Sequence, residues 1–272
     1  MNYFLIFMVL IFSAFSCKSK ESKVNDTNVK SERTNAATPY GMRRYQLKII
    51  RSFPHDTSSY TQGLLYNNGK LYESAGLVGK SSIRIVDFTT GAVIKKENLP
   101  YEYFAEGLAE MNGSLYQLTW QNEKGFVRNV NSLKVISEFN YSGEGWGLTT
   151  QHGKFLLTDG TNNIKIFNPD GFKLEKIIPV FRDDAPLMYL NELEMAGDKL
   201  YANIYGEDKI YIINPETGFA EGVIDCYDLR KTMPPLPFIE VMNGIAYIPE
   251  NDSFVLTGKF WTHYFECKFI PE

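Results

Sequence analysis

The chain has 272 residues, of which 44% are hydrophobic, 14% aromatic and 22% charged, and it carries a formal net charge of −4. This charge and an isoelectric point near 5.6 argue against nucleic acid as a partner and against strong electrostatic binding to anionic lipid. The length accommodates a short leader, a linker and one domain.

The N-terminus begins with an apolar segment, residues 4–15, that is too short to span a bilayer and has the length of a signal-peptide core. It runs into Ala14-Phe15-Ser16-Cys17, which resembles a bacterial lipobox. We expect a lipoprotein signal peptide at 1–16, cleavage before Cys17, and lipid on that cysteine. An ordinary signal peptide cut elsewhere is the alternative. The protein is then exported and held at a bacterial membrane, in the periplasm or at the outer membrane, through the lipid alone.

Residues 17–40 are predicted to be a flexible tether. The segment 18–38 is rich in Lys, Ser, Asn, Thr and Glu, and its only large aliphatic residues are Val24 and Val29. Such a composition cannot bury enough apolar surface to offset the entropy of ordering the chain.

The rest of the chain contains a five-fold internal repeat. The first half of each unit is a turn followed by an alternating apolar run, found at residues 68–72, 112–116, 152–156, 197–201 and 251–255. The last residues of these segments are, by subtraction, 44, 40, 45 and 54 positions apart. A turn before an alternating run indicates a β-hairpin, and a period of roughly 40–50 residues is typical of propeller blades.

A second β-rich run follows each hairpin, at residues 83–87, 126–130, 164–168, 210–214 and 264–269. Asp87, Asn168 and Asn214 then enter turns containing Gly, for which Asx side chains supply local hydrogen bonds. The fifth unit lacks an outer strand, which the alternating segment 45–51 is expected to supply. We therefore predict an all-β, five-bladed β-propeller over 41–272, with a β-sandwich or open β-array as the alternative.

Several kinds of site find no support in the sequence. His55, His152 and His263 share no metal-ligand spacing with each other or with Cys226 and Cys267. No Ser or Cys occupies a nucleophile elbow, and no Gly-rich phosphate loop precedes a helix. Whether the two cysteines pair stays open, because their sequence separation does not fix the distance between their Cβ atoms.

The remaining candidates are polar or aromatic residues that recur at equivalent places in the five units. They stand in apolar, glycine-flanked segments, and the inner strands and loops of a propeller converge on a central channel. The segments read Tyr-Thr-Gln-Gly-Leu (60–64), Phe-Ala-Glu-Gly-Leu (104–108), Leu-Thr-Trp (118–120), Gly-Trp-Gly-Leu-Thr (145–149), Leu-Asn-Glu-Leu-Glu (190–194), Ala-Asn-Ile-Tyr (202–205), Asn-Gly-Ile-Ala-Tyr (243–247) and Thr-Gly-Lys-Phe-Trp (257–261).

In this order and with these gaps, the eight segments resemble the successive motifs of the plant-type and bacterial glutaminyl-peptide cyclotransferases. The resemblance implies a five-bladed fold with Glu106 as the central acid and base. Tyr205 stands where the family commonly has Trp, which bears on substrate fit. The resemblance implies that the other pocket residues are Gln62, Asn191 and Lys259 in the polar part of the site, and Tyr60, Phe104, Trp120, Trp146 and Trp261 in its aromatic lining.

The reaction implied is intramolecular: the α-amine of an N-terminal glutaminyl residue attacks its own γ-carboxamide, ammonia leaves and pyroglutamate forms. One carboxyl group, Glu106, can make both proton transfers if burial moves its pKa towards neutrality. Gln62 and Asn191 are expected to pair with the amide groups of the substrate, and Lys259 to stabilise the oxyanion or the charge on Glu106.

No cofactor is expected to take part in catalysis and no catalytic metal is predicted, while the sequence leaves open whether a structural calcium or zinc is bound at the rim. The expected partners are peptides or proteins with an N-terminal Gln, and the protein is expected to be a monomer. Two alternatives remain: a non-catalytic, lipid-tethered propeller that binds peptides or sugars, and a sugar-acid lactonase, whose acidic metal ligands are sparse here.

Overall fold

The computed structural model describes residues 41–235 and 239–272. The predicted signal peptide at 1–16, the tether at 17–40 and the lipid attachment at Cys17 lie outside the described residues. Within them the chain is almost entirely β-structure. No helix in this part of the protein is both long and apolar enough to cross a membrane.

The first strand stands apart from the sheet that follows it. Strand β1 (Arg43–Pro54) pairs with the C-terminal strand, whereas the next four strands form an antiparallel sheet of their own. That sheet contains β2 (Thr61–Asn67), β3 (Lys70–Ala75), β4 (Ser82–Asp87) and β5 (Val93–Asn98).

Two further antiparallel sheets repeat this pattern in the order of the chain. The second contains β6 (Ala105–Met111), β7 (Ser114–Thr119), β8 (Lys124–Asn129) and β9 (Val135–Asn140). The third contains β10 (Leu148–Gln151), β11 (Lys154–Leu157), β12 (Asn163–Asn168) and β13 (Lys173–Pro179), with a short 3-10 helix, Asp170–Phe172, before the last strand. A short hairpin follows, whose two strands have two residues each: β14 (Phe181–Arg182) and β15 (Ala185–Pro186).

The last part of the chain forms an eight-stranded sheet in which two four-stranded units meet. The first unit contains β16 (Leu190–Ala196), β17 (Lys199–Ile204), β18 (Lys209–Ile213) and β19 (Ala220–Asp225). A short helix, α1 (Tyr227–Thr232), leads to β20 (Met242–Ile248), β21 (Ser253–Gly258) and β22 (His263–Pro271).

Strand β1 completes the second of these units, as its alternating pattern predicted. It pairs antiparallel with β22, from Tyr45 opposite Pro271 to Pro54 opposite His263. It also pairs in parallel with β19 at Arg43, a contact that the sequence did not predict and that merges the two units into one sheet.

The predicted hairpin turns are confirmed, and their backbone explains the residues used. The β2–β3 turn has φ of 51° at Asn68 and 77° at Gly69, and Asn112 and Gly113 repeat these values at 52° and 77°. Two-residue turns with positive φ at both positions match the right-handed twist of the strands, and Asn and Gly tolerate that conformation best. The Asx turns also form: Asp87 Oδ1 accepts the backbone N–H of Thr90 at 2.7 Å.

The hydrophobic core lies between successive sheets. One cluster joins Leu118 of the second sheet to Phe155 of the third, and another joins Leu71 of the first sheet to Val255 of the last unit. The first strands of the units contact one another in a cycle: β2 with β6, β6 with β10, β10 with β16, β16 with β20, and β20 with β2. The first strands of the five units therefore surround the middle of the domain.

Candidate active site

A cavity of about 350 Å³ opens where the first strands converge. Its walls contain nine of the ten residues that the sequence predicted for the site: Tyr60, Gln62, Phe104, Glu106, Trp120, Trp146, Asn191, Tyr205 and Lys259. Residues separated by up to 199 positions, the difference between 60 and 259, are thus brought into one pocket.

Four of the five inner strands carry an irregularity at the point where they reach the pocket. Pairing between β2 and β3 shifts between Thr61 and Gly63, and that between β6 and β7 shifts between Ala105 and Leu108. Equivalent shifts in β16 and β20 fall at residues 190–193 and 242–245. An extra residue in one strand of a pair redirects side chains out of the regular alternation. The bulges therefore turn the polar residues of the motifs towards the channel.

Glycines that follow motif residues, among them Gly107 after Glu106 and Gly147 after Trp146, permit the close approach of the inner strands. A Cβ on Gly107 would lie 2.6 Å from both the Leu148 nitrogen and the Trp146 oxygen, and one on Gly147 would collide with the Asn191 carbonyl. Gly107 N–H also donates to the Trp146 oxygen at 2.7 Å. A larger residue at either position would push neighbouring strands apart and widen the pocket.

Glu106 is the acidic residue at the base of the pocket, where it is 4% exposed. Gln62 Nε2 donates to Glu106 Oε1 at 2.9 Å, and Asn243 Nδ2 donates to Gln62 Oε1 at 3.2 Å. Burial raises the pKa of Glu106 well above its usual value, with Lys259 opposing the shift and Glu144 adding to it. The carboxyl is thus held in one orientation by a chain of amides that begins on β20.

These contacts change the interpretation of Gln62. Its amide donates one hydrogen bond to Glu106 and accepts one from Asn243, so it orients the carboxyl as well as lining the pocket, and its second N–H can still meet a substrate. Asn243 belongs to a motif that was quoted from the sequence, but it was missed as a functional residue. Its contribution depends on a contact across 181 positions, which no local signal reveals.

Asn191 is the amide that remains free for a ligand. It is 2% exposed, and among the described residues its side-chain oxygen has no hydrogen-bond partner. Its backbone oxygen accepts from the Thr158 hydroxyl at 2.6 Å, which fixes the position of the residue. A buried polar atom without a partner is costly, and a substrate that donates to it would remove that cost.

Lys259 provides a cation that is almost fully buried, at 2% exposure. Its Nζ lies 4.5 Å from the centre of the Tyr60 ring and 5.2 Å from that of the Tyr205 ring. Burial lowers its pKa to about 8, although Glu106 and Glu240 favour the charged form. The rings stabilise the ammonium group in place of water.

An aromatic wall surrounds these polar groups. Phe104 packs edge-on against Tyr60 and Trp120, with ring centres 5.9 and 5.8 Å apart, and Trp146 packs edge-on against Tyr205 at 5.8 Å. Trp120 and Tyr205 are 37% and 45% exposed, so they form the rim. This wall favours an apolar side-chain stem and limits the access of water.

Glu144 joins the two halves of the wall and was not predicted as a site residue. Its Oε2 accepts from the indole N–H of Trp120 at 2.7 Å and from that of Trp146 at 2.9 Å, while Oε1 accepts from Gln121 Nε2 at 2.9 Å. Partial burial acts against the charged form, but these three hydrogen bonds keep the pKa of Glu144 below its usual value.

The prediction that Trp261 lines the pocket is wrong. Trp261 is fully buried in the hydrophobic cluster of the last two units, and its indole N–H donates to the Glu240 backbone oxygen at 3.1 Å. The indole lies against Gly258, where a Cβ would collide with it. Its neighbour Phe260 has a φ of 61°, which turns the chain so that Lys259 faces the pocket and Trp261 faces the core.

The other residues considered for chemistry lie in the structural core or on the surface. His55 is buried and pairs with Glu73 at 2.9 Å, and Cys226 and Cys267 are buried free thiols. Across residues 41–235 and 239–272, no group of three or more His, Cys, Asp or Glu side chains is arranged to hold a metal ion.

The geometry therefore combines a buried carboxyl of raised pKa, a free amide oxygen and a buried ammonium group at the base of an aromatic pocket. A carboxyl group can accept a proton in its ionised form and donate it again in its protonated form. The other polar groups can orient an amide-bearing substrate.

Comparisons with known proteins identify the family. The family model of Glutamine cyclotransferase matches residues 22–269. Glutaminyl-peptide cyclotransferase of Arabidopsis thaliana is 34% identical over 227 residues, which are 82% of this chain and 71% of that protein. The crystal structure of Myxococcus xanthus glutaminyl cyclase superposes with a TM-score of 0.79 at 34% identity, covering 85% of this chain and 99% of that one. The resemblance found in the eight motifs is confirmed, and the chain belongs to the glutamine cyclotransferase family.

Proposed function

We propose that Glu106 is the proton shuttle with which this member of the glutamine cyclotransferase family converts N-terminal glutaminyl residues to pyroglutamate. The α-amine attacks the γ-carboxamide carbon, a carbon–nitrogen bond forms, the original amide bond breaks and ammonia leaves. The observation that carries the proposal is the burial of one carboxyl group, raised in pKa, at the base of the pocket.

The shuttle needs a group that exists in both protonation states near neutral pH. Glu106 in its ionised form would take the proton of the attacking amine, and in its protonated form would deliver that proton to the departing nitrogen. Gln62 holds Oε1 at 2.9 Å, which leaves Oε2 to face the reacting atoms. Because amine and amide belong to one residue, holding them in ring-forming geometry supplies much of the acceleration.

Asn191 and Lys259 would act on the amide of the substrate. The free Oδ1 of Asn191 can accept an N–H of the carboxamide, which would distinguish glutamine from side chains without an amide. Lys259 would stabilise the negative charge that develops on the carboxamide oxygen, and in a buried site such stabilisation is strong. The aromatic wall would pack against the methylene groups, with Tyr205 on the rim determining fit.

As proposed, the reaction uses no cofactor, because acid, base and nucleophile are supplied by Glu106 and the substrate. A calcium or zinc on the rim would serve a structural purpose only. The substrates are peptides or proteins with an N-terminal Gln, and the protein would act on them as a monomer.

We also infer that the domain is a five-bladed β-propeller. The inference is supported by the five-fold sequence repeat, by the cyclic contacts of β2, β6, β10, β16 and β20, and by the core cluster that joins the first and last units. Pairing of β1 with β22 would close the ring with the two ends of the domain in one blade.

For the residues outside the structure we propose a lipid anchor at Cys17 and a flexible tether that holds the domain away from a bacterial membrane. Inhibition of lipoprotein processing by globomycin should accumulate the precursor. A Cys17→Ser protein that is processed and membrane-associated like the wild type would contradict the anchor.

The proposed activity is tested by ammonia release from dipeptides. The purified protein should release ammonia from a Gln-initiated dipeptide, but not from its Asn-initiated or N-acetylated counterpart, because the first lacks the chain length and the second the free amine. If the Gln dipeptide binds without turnover, the alternative of a non-catalytic binding propeller replaces the proposal.

A further inference from the structure

A second cavity of about 350 Å³ lies beside the active site, and its lining is positively charged. Lys80, Arg84 and Lys96 supply the charge, Ser58 and Asn98 supply neutral polar groups, and the lining contains no acidic side chain. The proposed reaction gives this cavity no role.

The two cavities share one wall. Phe260 lines the second cavity, and its ring packs edge-on against Tyr60, which lines the first, with centres 5.2 Å apart. Phe260 N–H also donates to the Ser59 oxygen at 2.8 Å. A chain that leaves the active site across Tyr60 would therefore reach the second cavity next.

Arg84 is a buried part of the cavity wall, held in place by hydrogen bonds. It is 2% exposed, its Nη1 pairs with Asp56 at 2.8 Å and lies 3.8 Å from Glu73 Oε2, and its Nε donates to the Ser82 hydroxyl at 3.1 Å. Among the described residues no acceptor is recorded for its Nη2. One side of the guanidinium group is thus fixed while another can meet a ligand.

Lys96 stands directly opposite Arg84 across the β4–β5 pair. Like charges at directly opposed positions destabilise a sheet, and neither Lys96 nor Lys80 forms an ion pair with any residue that the structure describes. Burial and the repulsion of Arg84 lower the pKa of Lys96, although Asp56 and Glu73 partly offset them. An unfavourable placement of this kind is expected at functional positions. A bound anion would reduce the repulsion between the charges of Lys96 and Arg84.

We propose that this cavity is a specificity subsite for an anionic group, a carboxylate or phosphate, carried by a peptide a few residues beyond its N-terminal glutamine. The proposal rests on the proposed cyclase activity and adds a preference among its substrates. Lys80 and Lys96 would bind the anion directly, while Arg84, held by Asp56, would form the floor.

The test uses Gln-initiated hexapeptides with amidated C-termini, so that the terminal carboxylate does not interfere. One glutamate is placed at position 2, 3, 4 or 5, and each peptide is compared with the peptide that has glutamine there. We expect kcat/KM to be about three- to tenfold higher for glutamate at one position or two adjacent positions, mainly through KM. The advantage should shrink as sodium chloride is raised.

Variants connect this preference to the cavity. In K80Q/K96Q the ratio of kcat/KM between acidic and neutral peptides should fall to about one, and in K80E/K96E it should favour lysine at the same position. The matched control is K173Q/K176Q, which changes two exposed lysines of β13 and should keep the wild-type ratio. Thermal melting of each variant checks that it is folded.

The outcomes are distinguishable. If the protein cyclises none of the Gln-initiated peptides, the proposed function is contradicted. If an active enzyme turns over acidic and neutral peptides equally, the subsite proposal is wrong. A preference that survives in K80Q/K96Q overturns it too. Inorganic phosphate, added at constant ionic strength, should inhibit the acidic peptide more than the neutral one. If phosphate binds but no peptide preference exists, the cavity is a site for free anions and the proposal is wrong.

Discussion

Gln62 donates a hydrogen bond of 2.9 Å to Glu106, and both side chains are buried at the base of the pocket. The two residues occupy equivalent places in the first and second units, each in a bulge of an inner strand. One repeat thus supplies the buried carboxyl and its neighbour supplies the group that orients it. An apolar residue at position 62 would leave the carboxyl free to rotate.

The first prediction concerns Glu144, whose carboxylate holds Trp120 and Trp146 together. In Glu144→Gln the amide nitrogen takes the place of one acceptor oxygen, so hydrogen bonds to the indoles or to Gln121 are lost. Because the two indoles would bind substrate without moving protons, KM should rise about tenfold while kcat changes less. Steady-state kinetics and a shift in tryptophan fluorescence report the change.

The hydrogen bonds from the two indoles to Glu144 should weaken at low pH. Since the pKa of Glu144 is held below its usual value, the charged form is retained at neutral pH and is lost as pH falls through the lowered pKa.

The control for the Glu144→Gln variant is Glu138→Gln, which changes an exposed carboxylate paired with Lys124. Unchanged KM and fluorescence in Glu144→Gln would show that the indoles are held by packing alone.

Much of the fold was predictable because its signals are local. Asn and Gly at positive φ mark the hairpins, and period-two alternation marks the strands. The parallel contact between β1 and β19 was not predictable, since alternation identifies a strand without naming its neighbours. Trp261 was assigned wrongly because closeness to Lys259 in the sequence does not reveal the positive φ at Phe260, which turns Trp261 away from the pocket.

The site was predictable to the extent that each unit contributes one or two motifs. Nine pocket residues follow from motifs that stand at repeated positions. Glu144 and Asn243 were missed because their contributions depend on partners in other segments: Trp120, 24 positions away, for Glu144, and Gln62, 181 positions away, for Asn243. Glu144 directly precedes Gly145-Trp146, yet without the distance to Trp120 it is indistinguishable from a solvated carboxylate.

A second prediction is that Tyr205 affects substrate fit more than the chemical step. Its ring packs edge-on against Trp146 and is 45% exposed on the rim, whereas the carboxyl that would carry the proton is only 4% exposed. Tyr205→Phe and Tyr205→Trp should each change KM by less than about tenfold, roughly 1.4 kcal/mol, with kcat nearly intact. A large loss of kcat in Tyr205→Phe would show instead that the hydroxyl takes part in the reaction.

A third prediction concerns Glu194, whose burial raises its pKa to about 8. Its Oε1 accepts the backbone N–H of Tyr247 at 2.8 Å. Between the usual carboxyl pKa and about 8, the unfolded chain loses this proton while the folded protein keeps it. The free energy of unfolding should therefore fall as pH rises through this range, by up to roughly 1.4 kcal/mol per pH unit from this group.

Urea unfolding between pH 5 and 9 measures this dependence. Glu194→Gln mimics the protonated carboxyl and keeps an oxygen for Tyr247, so its stability should decline less steeply than that of the wild type. Some decline should remain, because burial also raises the pKa of Glu192. Glu216→Gln, in an exposed turn, serves as the control. Parallel curves for wild type and Glu194→Gln would mean that Glu194 is ionised in the folded protein.

The last prediction is that replacing Glu106 abolishes cyclisation without unfolding the domain. In Glu106→Gln the side-chain oxygen still accepts from Gln62, and the size of the group is unchanged, so the melting temperature should stay close to that of the wild type. The amide cannot accept or deliver the proton at neutral pH. Because general acid–base catalysis contributes roughly 10²–10⁴-fold, kcat should fall by at least about two orders of magnitude.

Substrate affinity should survive this change better than turnover, since Asn191, Lys259 and the aromatic wall remain in place. Binding of a Gln-initiated peptide, measured by calorimetry, separates the two effects. Glu110→Gln, four positions further along β6, is the matched control and should keep wild-type turnover. If a folded Glu106→Gln protein cyclises glutamine at a near-normal rate, the proton must travel through another group of the pocket, and Lys259, with its pKa lowered to about 8, becomes the next residue to replace.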